Sequence, residues 1–373
     1  QFWFSEEEKR RYARQGHPDI AAFHHDLYRG LNANGRWWVM EQQPGPVNWA
    51  QYNPAPLPGM VRLWTLEAMA HGAELVSYFR WRQAPFAQEQ MHAGLLRPDR
   101  SDDVAVAEVA QARGDIALLA DAAGDGVKQV ALVFDYQSDW ATDIQPQGQG
   151  FSALKQAFGY YSALRQLGLN VDIIPPGRTL DGYAMVVIPC MPIIPDGFVD
   201  QLADFEGPVL IGPRSGSKTK DFSIPANLAP GPLQRLIPLK VIRVESLRPG
   251  LVESVGNHAG TLWLEHIESK LEPSLSSDSG NPIHFTHDNI HYLGACPDPA
   301  LLRAIVAELA AKAGMDVFRI PDDIRIRRNG RLVFALNYGP EVARLIFESN
   351  PDFLIGSAEL PPAGLAVWRA PTV

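Results

Sequence analysis

The sequence predicts an α/β protein assembled from three successive parts. Strand-like and helix-like segments alternate between residues 37 and 122, and a second alternation begins with the apolar segment VALVFDY at residues 130–136. After residue 315 the pattern changes to short strands around Asn329-Gly330. Alternation of strands with helices is typical of parallel strands that are covered by helices. The expected domains span residues 1–123, 124–315 and 316–373.

The first part reads as helices and two strands in alternation. The segment PDIAAFHHDLYRGL carries apolar residues at helical spacing, and a strand is predicted over residues 37–40. Prolines at positions 44, 46, 54, 56 and 58 exclude regular structure from the loop that follows. A helix over 60–71, a second strand formed by ELVSYFRWRQ and a helix over 102–122 complete the pattern. This order fits either an α/β barrel or a doubly wound sheet, and in a barrel the chemistry lies at the carboxyl ends of the strands.

The second part begins after the glycine-containing segment AAGDGVKQ at residues 122–129. Helices are predicted over 152–167 and 197–205, and strands within the segments GLNVDIIP, AMVVIP and PVLIGP. This alternation resembles the flavodoxin-like or class I glutamine-amidotransferase-like α/β layer. In the third part, Asn329-Gly330 between two alternating strands is a strong hairpin signal, so we expect a small antiparallel β domain there.

Composition excludes several classes of function. A hydrophobic content of 46% with 20% charged residues is that of a folded protein. The formal net charge of -9 argues against nucleic acid as a partner, because phosphate binding requires clustered basic side chains. No apolar run approaches the roughly 18 residues that cross a bilayer, so we expect no membrane partner.

The cysteine and histidine patterns support neither a disulfide scaffold nor a metal site. Cys190 and Cys296 are far apart in sequence and form no Cys/His cluster, which fits a reducing compartment, and we expect a cytoplasmic location. His24 and His25 have no ligand-spaced partner nearby, so surface or capping contacts are favoured over metal binding. Cys190 lacks the flanking glycines of a nucleophile elbow and is expected to be a buried structural thiol.

Glu41 is the leading candidate for chemistry. It follows the apolar run Trp37 to Met40 at the end of the first strand, directly before a Gln-Gln-Pro-Gly loop. Such a carboxylate is usually a solvated loop residue, but its surroundings are rich in aromatic and polar side chains. These neighbours in sequence are Asn48, Trp49, Phe79, Trp81, Glu89 and His92. Sugars bind to sites of this composition, because ring faces stack on aromatics while hydroxyls hydrogen-bond to polar groups.

Two long motifs resemble glycoside hydrolase family 42, the β-galactosidases. They are WWVMEQQPGPVNWAQYNPAPLPGMVRLW and SYFRWRQAPFAQEQMHAGLLRPD. The resemblance implies the last strands of a (β/α)8 TIM barrel, then an amidotransferase-like trimerisation domain, then a small C-terminal β domain. It also implies a homotrimer that acts on β-galactosides without a cofactor.

The resemblance assigns roles to individual residues. Glu41 matches the catalytic nucleophile of a retaining enzyme, which works by double displacement. Trp49, Glu89 and His92 match positions that hold the galactose, and Phe79 falls in the pocket wall. The second reactive carboxyl of the family, its acid/base, follows an Asn, and no Asn-Glu pair occurs in this sequence.

The missing acid/base leads to two expectations. The first is that the chain is the C-terminal portion of a β-galactosidase, inactive alone and in need of an N-terminal barrel segment as its partner. The alternative is a non-catalytic trimerisation or assembly module that retains a barrel remnant. An amidotransferase acting through Cys190 is disfavoured, because the elbow glycines and a paired histidine are absent from the sequence.

Overall fold

The chain forms two compact units. A computed structural model describes residues 4–32, 34–124, 126–146, 148–347 and 351–370. Unit 1 combines residues 1–127 with 319–373, and unit 2 spans residues 128–318. Within the described part of the chain, no helix has the length and apolar character required to cross a membrane. The three domains expected from the sequence stay a prediction.

The N-terminal stretch of unit 1 contains helices and strands in alternation. Their order is α1 (Glu6–Arg11), α2 (Ile20–Leu31), β1 (Trp38–Gln42), α3 (Met60–Ala70), β2 (Leu75–Tyr78) and α4 (Val104–Leu119). The predicted alternation of strand, helix, strand and helix is therefore confirmed. The second strand is shorter than predicted, since it ends at Tyr78.

Strands β1 and β2 pair in parallel, as the alternation predicted. One face of the pair packs on helix α3, where Trp37, Ala68 and Ala73 form a buried cluster that Val39 and Val76 join. The side chains of Trp38, Met40 and Leu75 are exposed. Two parallel strands with one covered face position the segments that follow β1 and β2 at a common edge.

Unit 2 is an α/β layer combined with antiparallel strands. Its helices are α5 (Tyr136–Ile144), α6 (Ala153–Gln166), α7 (Phe198–Ala203) and α8 (Pro299–Lys312). Its first strands are β3 (Val130–Val133), β4 (Val171–Ile174), β5 (Met185–Ile188) and β6 (Val209–Ile211). The later strands are β7 (Leu239–Ser246), β8 (Glu253–Val255), β9 (His258–Ser269), β10 (Leu275–Ser276), β11 (Pro282–His287), β12 (Ile290–Leu293) and β13 (Ala295–Pro297).

The main sheet of unit 2 has the order β4-β3-β5-β6-β12-β11-β10. Five of these strands are parallel to one another: β4, β3, β5, β6 and β12. When the five are numbered by their order along the chain, their order across the sheet is 2-1-3-4-5. That order is the one found in flavodoxin-like sheets. A second sheet, β13-β9-β7 with β8 paired to β9, is antiparallel. Its strands were not predicted from the sequence.

Residues from 319 onward return to unit 1 and add antiparallel strands. These are β14 (Ile324–Asn329), β15 (Leu332–Asn337), β16 (Ala343–Arg344), β17 (Phe353–Ile355), β18 (Glu359–Leu360) and β19 (Leu365–Arg369). The sheet order is β14-β15-β19-β17. Asn329 pairs with Leu332 and Gly330 has φ +55°, which confirms the predicted hairpin. Strand β15 shares a core with helix α3, where Phe334 and Leu336 pack in one cluster with Leu63.

A buried ionic cluster also joins the N-terminal and C-terminal stretches of unit 1. Arg325 on β14 makes a two-pronged ion pair with Asp19, at 2.7 and 2.8 Å. Asp26 on α2 accepts from Arg327 at 3.1 Å, from His71 at 2.9 Å and from Arg29 at 3.0 Å. Asp26 has no exposed surface, so its charge is balanced within the protein.

Candidate active site

A β-bulge lies at the carboxyl end of β1. Val39 pairs with Val76 and Gln42 with Tyr78, so two residues of β1, Met40 and Glu41, stand opposite the single residue between Val76 and Tyr78. Successive residues of a regular strand point to opposite faces. Met40 and Glu41 are both exposed, which is what the extra residue of a bulge permits. The bulge therefore keeps Glu41 off the face that helix α3 covers.

Gln43 connects Glu41 to His92. Its side-chain nitrogen Nε2 donates to Oε1 of Glu41 at 3.1 Å. Its carbonyl oxygen Oε1 lies 2.5 Å from Nε2 of His92. His92 is only 2% exposed, although it belongs to a long surface loop. The three side chains form a continuous polar chain that starts at an exposed carboxylate and ends at a buried imidazole.

Phe79 and Glu89 are connected to His92 by a second set of contacts. The rings of Phe79 and His92 meet edge to face, with centroids 5.1 Å apart. The Arg80 guanidinium lies over the Phe79 ring at 4.8 Å and donates to Oε2 of Glu89 at 2.6 Å. The Glu89 carboxylate is therefore paired with a guanidinium that also lies over the ring of Phe79.

Burial and a neighbouring cation keep His92 uncharged. The pKa of the His92 imidazole lies below its ordinary value, mainly because burial disfavours the charged form. The nearby charge of Arg80 lowers the pKa further, whereas Glu89 and Glu41 raise it. A neutral imidazole has one nitrogen that donates and one that accepts. One ring nitrogen of His92 therefore keeps a lone pair that can accept a hydrogen bond.

Two loops are tied together around these residues. Ala93 N donates to Pro46 O at 2.9 Å, and Asn48 Nδ2 donates to Gln88 O at 3.2 Å. A Cβ added at Gly45 would lie 2.7 Å from Cβ of Ala93, so only glycine allows this close approach. The next residue after Asn48 is Trp49, which is 71% exposed. Its side chain projects from the joined loops as an uncovered aromatic surface.

The structure brings four of the five predicted site residues into one connected set. Phe79 contacts His92 directly, Glu41 reaches it through Gln43, and Glu89 joins through Arg80. Trp49 lies on the adjoining loop. The roles of all five stay predictions. Gln43 was missed, although residues two apart in an extended segment share a face, and that spacing from Glu41 could have indicated it.

Polar side chains of unit 2 and the two cysteines have structural contacts. Asp135 accepts hydrogen bonds from N and Oγ of Ser138, both at 2.8 Å, and so caps α5. Asp139 accepts from Leu154 N at 3.1 Å at the start of α6. Burial raises the pKa of Cys190 to about 12, so this thiol is protonated and unreactive at neutral pH. Among the described residues, no group of three or more His, Cys, Asp or Glu side chains could hold a metal ion.

Three family models match this chain in succession. The model described as beta-galactosidase matches residues 1–119. The model for the beta-galactosidase trimerisation domain matches residues 128–316. The model for the beta-galactosidase C-terminal domain matches residues 323–370.

Individual relatives agree with the family models. A beta-galactosidase of Thermus thermophilus is 54% identical over 367 residues, which cover 97% of this chain and 57% of that protein. The crystal structure of beta-galactosidase from the psychrophilic Marinomonas ef1 is 44% identical with a TM-score of 0.94, over 99% of this chain and 58% of that one. The beta-galactosidase of the Antarctic haloarchaeon Halorubrum lacusprofundi is 35% identical with a TM-score of 0.90, over 96% and 57% of the two chains.

This chain thus spans somewhat more than half the length of the relatives it matches. Its match runs through all three family models, and the trimerisation model alone covers 128–316, about half of its residues. The chain belongs to glycoside hydrolase family 42, the β-galactosidases.

Proposed function

We propose that this chain supplies the nucleophile and part of the galactose pocket of a retaining β-galactosidase, which hydrolyses terminal β-D-galactosyl residues. The observation that carries the proposal is the connected set at the ends of β1 and β2. An exposed carboxylate, Glu41, is linked through Gln43 to a buried neutral histidine, His92, beside the aromatic ring of Phe79. Aromatic and polar groups of this kind suit a sugar ring and its hydroxyls.

The mechanism assigns two successive steps to the carboxylate. In the first, an oxygen of Glu41 attacks the anomeric carbon and forms a glycosyl ester, while a second carboxylic acid protonates the departing oxygen. In the second, that group takes a proton from water, which attacks the ester and releases galactose with its configuration retained. The two carboxyl groups must lie roughly 5–5.5 Å apart. We place the second one in a barrel segment that precedes the matched region in the relatives.

The proposed barrel accounts for the exposed face of the two-stranded sheet. We assign β1 and β2 to the last two strands of a (β/α)8 barrel, whose active site lies at the carboxyl ends of the strands. Two strands cannot close a barrel, and the apolar side chains Trp38, Met40 and Leu75 are exposed. Preceding strands would cover these side chains and the free edges of the sheet.

Both thiols, Cys190 and Cys296, are free, which fits a cytoplasmic location.

The proposal is tested by comparing this chain with an extended enzyme. The extended enzyme carries, at its N-terminus, the segment that precedes the matched region in the Thermus thermophilus relative. Turnover of a chromogenic β-galactoside is expected from the extended enzyme and not from residues 1–373 alone, because only the former contains the acid/base. Robust turnover by the shorter chain would contradict the assignment of the missing acid. A folded extended enzyme without turnover would contradict the hydrolase function.

We also propose that unit 2 assembles the protein into a trimer. Helix α5 exposes Tyr136, Trp140 and Ile144, with 43%, 58% and 70% of their surfaces accessible. These residues are spaced four apart and so lie on one side of the helix. The contacts of a cyclic trimer are heterologous, so this apolar stripe would meet a different face of the neighbouring protomer.

Replacing Trp140 with glutamate is expected to dissociate the trimer, because the change places a charge in the centre of an apolar contact. Light scattering should give about three times the chain mass of 41.1 kDa for the native chain and about one chain mass for the variant. Leu251→Glu is the matched control, since it changes an exposed apolar residue outside α5. A native monomer, or a variant that stays trimeric, would contradict the proposed contact.

The alternative function is a non-catalytic assembly module. The exposed stripe of α5 favours assembly under both proposals, so the oligomeric state does not separate them. Galactose binding does, because a barrel remnant has no reason to keep Glu89 and His92 arranged around a sugar. Titration calorimetry with galactose should show binding by the extended enzyme that weakens on His92→Ala. Binding that this change leaves unaltered would favour the assembly module.

A further inference from the structure

We propose that Gln43 is a positioning residue that fixes both the orientation of the Glu41 carboxylate and the position of the proton on His92. Nothing in the sequence motifs assigns Gln43 a role. Its position in the structure is specific, because its amide contacts both Glu41 and His92. The consequence for catalysis rests on the proposed function, whereas the consequence for His92 does not.

The carboxylate determines which way the amide of Gln43 points. An ionised carboxylate only accepts hydrogen bonds, so Gln43 must present its NH2 group to Glu41. The distance from Nε2 of Gln43 to Oε1 of Glu41 is 3.1 Å. The amide carbonyl then faces the other way, toward His92. The reversed amide would place its carbonyl oxygen against the Glu41 carboxylate, so that two acceptors would face each other.

The amide in turn determines the tautomer of His92. Its carbonyl oxygen lies 2.5 Å from Nε2 of the ring, and a carbonyl only accepts, so Nε2 must carry the proton. Because the imidazole is neutral, Nδ1 is left with a lone pair. Among the described residues Nδ1 of His92 is buried without a hydrogen-bond partner. With no donor or acceptor of the described residues against Nδ1, the contact at Nε2 alone decides where the proton lies.

The same contact leaves one oxygen of Glu41 for attack. Oε1 accepts from Gln43, whereas Oε2 of Glu41 accepts no hydrogen bond from the described residues. A single fixed donor restricts rotation of the carboxylate about its last bond and holds the other oxygen in a constant direction. Small errors in the direction of a nucleophile cost roughly 10²-fold in rate, so loss of this donor should lower kcat by about that factor.

The tautomer can be measured on residues 1–373 without any activity. The chain is labelled with nitrogen-15 at its histidines, of which it has ten, and His92 is identified by the signals lost in His92→Gln. The native chain should show His92 protonated at Nε2. Gln43→Leu should give a mixture of tautomers, whereas the control Gln83→Leu should not, because Gln83 donates to Gln90 O instead. Protonation at Nδ1 in the native chain, or an unchanged tautomer in Gln43→Leu, would overturn the proposal.

The pH dependence of kcat in Gln43→Glu distinguishes a positioning role from a merely structural one. While the introduced carboxyl group is protonated, it can still donate to Glu41 and accept from His92, but once ionised it can only accept and it repels Glu41. In the extended enzyme, kcat of this variant should approach the native value in acid and fall about 10²-fold as the new carboxyl ionises. A parallel loss at every pH would contradict positioning. If the extended enzyme shows no turnover, the proposed function fails while the tautomer experiment still decides the role of Gln43.

Discussion

Replacing Glu41 with glycine in the extended enzyme is expected to lower kcat for an aryl β-galactoside by roughly 10⁴- to 10⁶-fold, the scale on which loss of a reactive side chain acts in hydrolases. The reason is that no other side chain of the set can form the ester. Glu89 is held by Arg80 at 2.6 Å, and Gln43 and His92 are neutral. Initial rates with the native and variant enzymes, at equal concentration of folded protein, measure the effect.

Azide should restore part of that activity, and its product identifies the role of Glu41. Glycine leaves space where the carboxylate stood, and a small anion in that space can attack the anomeric carbon from the same side. The product would be α-galactosyl azide, because only one displacement takes place. Glu74→Gln is a suitable control, since Glu74 precedes β2 and pairs with Arg36 at the surface. An active glycine variant, or rescue that yields a β-linked product, would exclude Glu41 as the nucleophile.

The sequence located Glu41 but not its orientation. The strand predicted over 37–40 extends to Gln42 in the structure, so Glu41 lies within the strand rather than beyond it. Regular alternation would have sent its side chain to the helix-covered face together with Val39. A bulge depends on how the partner strand is paired, and pairing is not a local property of the sequence. For this reason the register could not be deduced in advance.

Local patterns predicted those parts of the fold that local interactions determine. Strands β3 to β6 and helices α6 and α7 follow from alternation and apolar periodicity, and right-handed connections then restrict the sheet order. The sequence did not predict the antiparallel sheet of β7, β9 and β13, because buried and exposed residues do not alternate regularly along β7 and β9. The shared core of α3 and β15 joins segments from opposite ends of the chain, for which the sequence carries no local signal.

Replacing Asp26 with alanine should destabilise unit 1 by about 3–5 kcal/mol, the usual cost of removing one partner from a buried ion cluster. Three cationic or polar side chains meet this carboxylate, Arg29, His71 and Arg327. Without it, the buried guanidinium of Arg327 would lose this counter-charge. Hydrogen exchange of peptides from α2 and β14 reports unit 1 separately from unit 2. Glu74→Gln, which opens an exposed ion pair, should leave the exchange of both peptides nearly unchanged.

The pH dependence separates the charge of Asp26 from its packing. Burial alone would raise its pKa, but Arg327, His71 and Arg29 together hold the pKa of Asp26 below the ordinary value of 3.8. A carboxyl group whose folded pKa is depressed stabilises the fold above its unfolded pKa, and this contribution is lost as pH falls through the folded pKa. The stability gap between the native chain and Asp26→Asn, which keeps the volume of the side chain, should therefore be full near neutral pH and shrink below about pH 4. If the gap is the same at pH 7 and in acid, Asp26 contributes through shape rather than charge, and the cluster around it is not what joins α2 to β14.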